Sequence, residues 1–320
     1  MIENRFPHLK ALVRDPKCNI LMFHDGMGIL PQLAAEGVLD NSVALFTFSW
    51  NVSAEGANYI RTQIERATKY YPEIERRVRL LLNSPAEFER VVGLIDRKLC
   101  KIFNNSSLIN ERYFSIGSTN AVYDAVYNAR ANIFKRHELT NLIESKIFIA
   151  YDWKFSDANI DLFKPVQIFK NVKGSDVQNY LHMARVGLML SQEEGGCYAS
   201  LEYLLCGMPV VSTPSIGGRD DFYNSCNSII SEPNPEAVRD AVKVALARLA
   251  TGEFSPSAIR QDAIFRMSSH RRILCETINE LLAGSGVAIL EHEDLLQKIH
   301  STNKLWKYRN MRLKTLHSAR

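Results

Sequence analysis

Two glutamates eight residues apart, Glu194 and Glu202, lie in the most distinctive stretch of the chain, EEGGCYASLEYLLCGMPVVST (193–213). Gly195 and Gly196 follow the first glutamate, and glycines let the backbone N–H groups approach a ligand closely. Carboxylates accept hydrogen bonds but repel phosphate. We therefore expect the two glutamates to bind hydroxyl groups on either side of a phosphate-containing ligand rather than the phosphates themselves.

The same stretch predicts a helix that begins near Cys197 and ends at Gly207, where Pro209 prevents the helix from continuing. The amino end of such a helix carries partial positive charge and free N–H groups, which suit a diphosphate. The peptide N–H groups around Cys197 are therefore expected to take part in ligand binding.

Two more segments carry residues suited to phosphate. Arg130 ends a predicted strand and Lys135 follows five residues later, so both cations could reach one diphosphate, although the pattern alone also fits a surface ion pair. In TPSIGGRDD (213–221), the glycine pair Gly217 and Gly218 follows another predicted strand and could present N–H groups or close over a ligand.

Short apolar runs alternate with helical patterns along the chain, which predicts an α/β fold with two Rossmann-like domains built on parallel sheets. The runs predicted as strands are 19–23, 42–48, 78–84, 100–105, 124–130, 146–151, 165–172, 186–191, 209–213 and 228–232. The helices predicted between and after them are 29–37, 54–74, 85–99, 134–144, 175–184, 197–207 and 235–250. In open parallel sheets, ligands bind at the carboxyl ends of the strands, where the residues above fall.

The bulk composition indicates a globular protein of the cytoplasm. Hydrophobic residues make up 46% of the 320-residue chain and charged residues 23%, and no apolar run is long enough to span a bilayer. The N-terminus is too charged for a signal peptide. Six cysteines without a paired spacing argue for reduced thiols and against a zinc site. The net charge of +4 gives no reason to expect nucleic acid as a partner.

Positive charge is concentrated at the C-terminus, where no acidic residue follows Asp294. Seven basic residues lie beyond it, with Trp306 and Tyr308 among them: Lys298, Lys304, Lys307, Arg309, Arg312, Lys314 and Arg320. Two readings remain open. The segment is either a solvated final helix and tail or a peripheral contact with an anionic membrane, at the inner face of the cell membrane.

Three of these segments resemble the C-terminal domain of the GT-B retaining glycosyltransferases of family 4, also described as glycosyl transferases group 1, over residues 122–250. The family's G-R-L-x-x-x-K is matched from Ala129 to Lys135. Its E-G-F-G-L-x-x-x-E-A-x-A-x-G-x-P-V-V is matched at Glu194, Gly195, Glu202, Gly207, Pro209, Val210 and Val211. Its G-G-x-x-E is matched by Gly217 and Gly218, with Asp221 in place of the glutamate. Gly196 and Cys197 replace the family's Phe-Gly.

The resemblance implies transfer of a sugar from a nucleotide-diphosphate sugar to a glycan or lipid-linked acceptor, such as a surface-polysaccharide precursor, with retained configuration. Arg130 and Lys135 would neutralise the departing diphosphate. Glu202 would hold the ribose, and Glu194 would contact the sugar and favour its positive charge in the transition state. No D-x-D element is found where a metal-dependent fold of the other glycosyltransferase class would need one, so we expect neither a metal nor another cofactor.

The first half resembles the family only in outline. We expect domains at 1–118, on the acceptor side, and 119–265, for the donor, facing each other across a cleft. Residues 266–320 would form C-terminal helices that cross back to the first domain, followed by the basic tail. In FHDGMG (23–28), His24, Asp25, Gly26 and Gly28 could contact the sugar or the acceptor, although a lone histidine at a strand end is often structural.

Two other functions use the same donor site. A sugar-nucleotide epimerase with this fold would need no acceptor, and an inactive GT-B subunit would bind a partner without turnover.

Overall fold

The computed structural model describes residues 9–117, 121–151 and 167–301, with the side chain of the strand residue at 151 excepted. The chain divides into two compact units, one of residues 1–109 with 268–320 and the other of residues 110–267. The first boundary lies nine residues before the limit drawn from the sequence, and the C-terminal segment groups with the first unit rather than by itself.

The first unit contains one five-stranded sheet whose strands follow one another in chain order. The strands are β1 (Leu9–Val13), β2 (Asn19–His24), β3 (Ser42–Thr47), β4 (Val78–Leu82) and β5 (Cys100–Ile102). β1 pairs antiparallel with β2, and the remaining pairs are parallel. β1 was not predicted from the sequence. Its burial alternates irregularly, as suits a sheet-edge strand with a register shift.

Three helices pack on one face of this sheet: α1 (Leu30–Ala35), α2 (Ala54–Thr68) and α3 (Pro85–Val92). The side chains of Ser53 and Ser84 cap α2 and α3 by accepting N–H groups from the first turn of each helix. Gly37, at φ 69°, reverses the chain after α1 as predicted. The helices predicted over 54–74 and 85–99 both end earlier, at Thr68 and Val92.

The second unit contains a six-stranded parallel sheet of order β13-β11-β9-β6-β7-β8. Its strands are β6 (Tyr123–Arg130), β7 (Lys146–Tyr151), β8 (Gln167–Lys170), β9 (Ala184–Met189), β11 (Val210–Ser212) and β13 (Ser228–Ile230). Two short strands, β10 (Glu193–Glu194) and β12 (Ile216–Gly217), pair separately. The helices are α4 (Val177–Leu181), α5 (Tyr198–Leu205) and α6 (Pro235–Ala250). Along the chain, β7 and β8 are added on one side of β6. The next strand, β9, pairs with the other side of β6, and β11 and β13 continue the sheet in that direction.

The helix predicted over 134–144 is wrong. The chain forms two short 3-10 turns there, Ile133–Lys135 and His137–Thr140, with Arg136 between them at φ 52°. Arg136 is held out of a helical path because its Nε donates to the Leu190 carbonyl at 2.6 Å. Such tertiary contacts override a local helical pattern.

The part of α7 (Pro256–Leu282) from residue 268 onward and the helix α8 (His292–His300) complete the first unit. Leu274 and Ile278 of α7, together with Leu295 of α8, pack with Ile20 and Leu45 on the sheet face opposite α1–α3. The predicted return of the C-terminal helix to the first domain is therefore confirmed. The basic residues beyond 301 lie outside the described residues.

Candidate active site

The candidate site lies where the order of the second sheet reverses, between β6 and β9. In open parallel sheets this switch point leaves a crevice at the carboxyl ends of the strands. β6 ends at Arg130 and leads to Lys135, while β9 leads to the loop with Glu194 and to α5. The fold thus brings the two strand-end segments singled out in the sequence to neighbouring strands of one sheet.

Lys135 and Glu194 form an ion pair at this edge, through close contact between Nζ and Oε1. Both residues are only 7% exposed. Opposite charges attract strongly where water is excluded, and removing either partner would leave an uncompensated buried charge. The sequence predicted that both residues belong to one site but not that they contact each other.

Glu202 is fixed by a neighbour that the sequence analysis missed. The Nδ2 of Asn128, near the end of β6, donates to Glu202 Oε2 at 3.0 Å, and Glu202 is 2% exposed. The backbone N–H of Asn128 donates to the hydroxyl of Tyr203 at 2.6 Å. Asn128 points to the same side of β6 as Arg130 because side chains alternate along a strand. This alternation was the only available signal for Asn128.

The two glycine loops are joined by a short parallel ladder in which Glu194 pairs with Gly217. Gly217 has φ 110°, a conformation that favours glycine. Gly218 is buried, Gly195 is buried and Gly196 is partly exposed. The ladder fixes the position of the Glu194 backbone against the second loop.

Cys197 is the N-cap residue of α5, and its side chain makes no capping hydrogen bond. Burial raises the pKa of its thiol to about 12, and Glu194 nearby adds to this effect. Its Sγ lies 3.7 Å from the sulfur of Met189. A thiol held protonated is a poor nucleophile, so Cys197 contributes its backbone and its packing rather than reactivity.

A buried arginine, Arg219, holds the loops together and was also missed. Its guanidinium donates to the carbonyls of Ser191, at 2.6 Å, and Met189, at 3.2 Å, and it also contacts the Thr213 carbonyl. It therefore ties the carboxyl end of β9 to that of β11. The only sequence feature that marks Arg219 is its position directly after Gly217 and Gly218, and this feature becomes informative only once the contacts of Arg219 are known.

Arg130 is the last residue of β6 and is partly exposed at the same edge of the sheet. Asp221 lies in a 3-10 turn, Arg219–Phe222, that follows the second glycine pair. The sequence YDW (151–153) lacks the glycines that the family usually has at this strand end, and only its first residue is among the described residues.

In the first unit, His24 is 9% exposed, and its Nδ1 lies 2.9 Å from Thr47 Oγ1 on the neighbouring strand. This contact supports the structural reading of the histidine. Asp25 adopts φ 55° and accepts hydrogen bonds from the N–H and the hydroxyl of Ser49.

A cavity of about 320 Å³ lies beside these residues and is lined by Asp25 and Gly28 together with Trp50, Asn51 and Tyr59. Trp50 is 46% exposed and Tyr59 50%. A side chain at Gly28 would begin 2.6 Å from the Tyr59 hydroxyl, so the Tyr59 ring would have to shift to accept one. Gly26 is partly exposed nearby but does not line the cavity.

Within residues 9–117, 121–151 and 167–301, no group of three or more His, Cys, Asp or Glu side chains could hold a metal ion. None of the helices in the described part of the chain is long and apolar enough to cross a membrane.

Residues 154–248 match the family model described as glycosyl transferases group 1. The matched segment includes Glu194, Glu202 and both glycine pairs. No curated protein matches the chain.

Several solved structures share the fold. The Anabaena protein HepE in complex with UDP superposes with a TM-score of 0.63 at 13% identity, covering 80% of this chain and 78% of HepE. Staphylococcus aureus TarM, solved with fondaparinux, α-GlcNAc-glycerol and UDP, gives 0.60 at 16% identity, covering 82% and 55%. A glycosyltransferase from Rickettsia africae gives 0.56 at 16% identity, covering 81% and 82%.

With the family match, these structures confirm the predicted resemblance to the GT-B glycosyltransferases and the predicted α/β fold with parallel sheets.

Proposed function

We propose that the protein is a glycosyltransferase that moves a sugar from a nucleotide-diphosphate sugar to a hydroxyl acceptor, with retained configuration and without a metal ion. The main support is the pair of buried carboxylates, Glu194 and Glu202, held by Lys135 and Asn128 at the switch point of a parallel sheet. UDP is the first nucleotide to test because HepE was solved with UDP and with UDP-glucose.

In this proposal the diphosphate lies at the amino end of α5, where free N–H groups and the helix dipole favour negative charge. Lys135 and Arg130 add positive charge to the departing diphosphate. A lysine ammonium has three donors, so Lys135 can keep its contact with Glu194 while it binds a phosphate oxygen.

Glu202, held in position by the amide of Asn128, accepts hydrogen bonds from the ribose hydroxyls on one side. Glu194 lies on the sugar side, where its charge favours the oxocarbenium-like state as the bond from the anomeric carbon to the diphosphate breaks. The acceptor oxygen then bonds to that carbon from the same face, and its proton leaves to the departing diphosphate.

For the acceptor we propose a glycan, bound in the cavity of the first unit. Exposed aromatic faces with a carboxylate beside them suit a sugar ring, because the ring stacks its C–H face and hydrogen-bonds at its edge. Trp50, Tyr59 and Asp25 provide this combination. A lipid-linked acceptor, a cytoplasmic location and membrane contact by residues 298–320 stay predictions, and flotation of liposomes with and without those residues tests the last.

The donor site is tested by Glu202→Gln, which keeps the shape of the side chain, and by Lys135→Ala. We expect Glu202→Gln to weaken UDP binding at least tenfold, or about 1.4 kcal/mol, in calorimetry. Lys135→Ala should abolish release of UDP from a panel of UDP-sugars supplied with candidate acceptors. Circular dichroism checks folding, and Glu236→Gln, at an exposed position on α6, is the matched control.

Near-normal turnover in either variant would refute the assignment. Analysis of the reaction products separates the other functions: a new isomer formed from nucleotide sugar alone indicates an epimerase. Binding without turnover for any acceptor indicates an inactive subunit.

A further inference from the structure

The first unit contains a second cavity, of about 890 Å³, at the opposite edge of its sheet from Asp25 and Trp50. It lies at the amino ends of β4 and β5, beside the chain that follows α7. Six cationic side chains line it: Arg76, Arg77, Arg79, Arg97, Lys98 and Lys101. Only three carboxylates do so, those of Glu73, Glu75 and Glu280, which leaves an excess of three positive charges.

Two of the six cations are neutralised within the cavity. Arg76 pairs with Glu73 at 3.0 Å, and Lys101 pairs with Glu280 at 3.0 Å. In the described part of the chain, the other four lie beyond ion-pair distance of any carboxylate. Unpaired like charges concentrated in one concave site repel one another, and a bound anion would remove that cost.

Three of the unpaired cations make contacts that hold the guanidinium group in place. The Nη1 of Arg79 donates to the carbonyls of Glu75 and Val78, while its Nε is buried without a hydrogen-bond partner. Burial lowers the pKa of Arg79, and the carboxylates of Glu280 and Glu75 offset this only in part.

The guanidinium of Arg97 lies over the ring of Phe88 at 4.7 Å. Arg77 donates to the Tyr71 hydroxyl at 3.4 Å and to the Asp40 carbonyl at 3.3 Å. Guanidinium groups fixed in this way lose little freedom on binding, and their planar forks match the oxygens of a phosphate.

We propose that this cavity is a binding site for a phosphate-bearing anion, separate from the donor site of the second unit. Arg79, Arg97 and Lys98 would supply the main contacts, with Arg77 at the side. The group bound is a mono- or diphosphate, carried either by a soluble molecule or by an anionic lipid headgroup.

The test is a calorimetric titration of sodium pyrophosphate into the full chain, into Arg97→Gln/Lys98→Gln and into Arg239→Gln/Lys243→Gln. Arg97 and Lys98 are exposed, so their substitution should leave the fold intact. The second pair, on α6, removes the same charge from the other unit. Hydrogen–deuterium exchange with and without pyrophosphate locates the binding.

We expect the first double variant to bind pyrophosphate at this site at least tenfold more weakly, and the second to bind like the unchanged protein. Exchange should slow in peptides covering 73–79 and 97–101 of the unchanged protein. Equal affinity in the two double variants, or no slowing in these peptides, would overturn the proposal.

A parallel arm distinguishes the sources of the phosphate. Flotation with phosphatidylglycerol vesicles, compared with phosphatidylcholine vesicles, indicates a lipid headgroup if the Arg97→Gln/Lys98→Gln variant alone loses binding. If that variant floats as the unchanged protein does while its pyrophosphate affinity falls, the ligand is a soluble phosphate compound.

Discussion

At the scale of single residues, the two site carboxylates differ in the partner that each one has. Glu194 faces the ammonium of Lys135, while Glu202 faces the neutral amide of Asn128. The charge of Glu194 is therefore partly balanced before any ligand arrives, whereas the hydrogen bond from Asn128 brings no opposite charge to Glu202. In the proposed reaction, Glu202 would bind hydroxyls, and the surroundings of Glu194 would change when a phosphate binds Lys135.

Another buried carboxyl makes the stability of the first unit depend on pH. Glu87 is fully buried in α3. Burial raises the pKa of its carboxyl from 4.5 to about 7, although hydrogen bonds from the backbone N–H groups of Asn83 and Val52 act to lower it. Between these pKa values the folded state holds a proton that the unfolded state has lost. Stability therefore falls as pH rises through this window, by about 3 kcal/mol in total.

We expect Glu87→Gln to remove that part of the pH dependence, because an amide does not titrate. The measurement is urea unfolding at about pH 5 and about pH 8, with the change in midpoint compared between proteins. Glu89→Gln, exposed on the same helix, is the control and should keep the wild-type slope. A slope unchanged by Glu87→Gln would show that Glu87 does not titrate in this range.

The sequence predicted Lys135, Glu194 and Glu202 as members of one site, because their spacing from strand ends could be read directly. It did not predict Asn128 or Arg219. A buried asparagine in a strand and an arginine after two glycines have no periodic signal. Their partners become visible only when β6, β9 and β11 are known to be neighbours.

At the scale of elements, α5 lies close to β9 because Gly187 has no side chain. A Cβ there would begin 2.5 Å from the ring of Tyr203, which is fully buried. The ring occupies the space and extends its hydroxyl to the backbone of β6. One glycine thus sets how deeply the helix that carries Glu202 packs on the sheet.

Gly187→Ala should therefore destabilise the second unit by about 1–3 kcal/mol, the usual cost of overpacking a core. When Gly187→Ala is made in the Tyr203→Ala variant, it should lower the free energy of unfolding much less, because the space that the ring occupied is then empty. A double-mutant cycle of unfolding free energies measures the difference. Additive effects of the two substitutions would show that the contact does not set the packing.

Elements with apolar, β-branched runs were predicted well, and α6 was predicted to the residue at both ends. The segment 134–144 was predicted wrongly because its helical pattern could not reveal the pull on Arg136 from Leu190 and Thr213. The strands β10 and β12 have two residues each, too few for any periodicity to appear.

At the scale of the whole molecule, each unit has its own core, and the first depends on distant parts of the chain. Leu274→Ala in α7 should lower the stability of the first unit by about 2–5 kcal/mol through the cavity it leaves. UDP binding should stay unchanged, because the proposed donor site belongs to the second unit. Leu201 is equally buried but lies in α5, so Leu201→Ala should weaken UDP binding.

Hydrogen–deuterium exchange in β2 and β3 reports the first effect, and calorimetry with UDP reports the second. Loss of UDP affinity in Leu274→Ala without faster exchange in these strands would contradict the division into two cores.

The alternation of strands and helices predicted two parallel-sheet domains, but it could not give the order of the strands. Right-handed crossovers allow a sheet to grow in one direction, as from β2 to β5, or to reverse, as at β6. Which of these two strand orders forms depends on which faces of the sheet are covered by helices. In the first sheet that cover comes from helices that begin beyond residue 255.

That dependence has a consequence for how the chain folds as it is made. The second unit is continuous, so it can fold as soon as residue 267 has left the ribosome. The first unit must wait for Leu274 and Ile299 before the outer face of its sheet is covered. At ~5–20 residues per second, its strands stay half covered for ~10–40 s after synthesis of β5. The half of the protein that is made first is the half that finishes folding last.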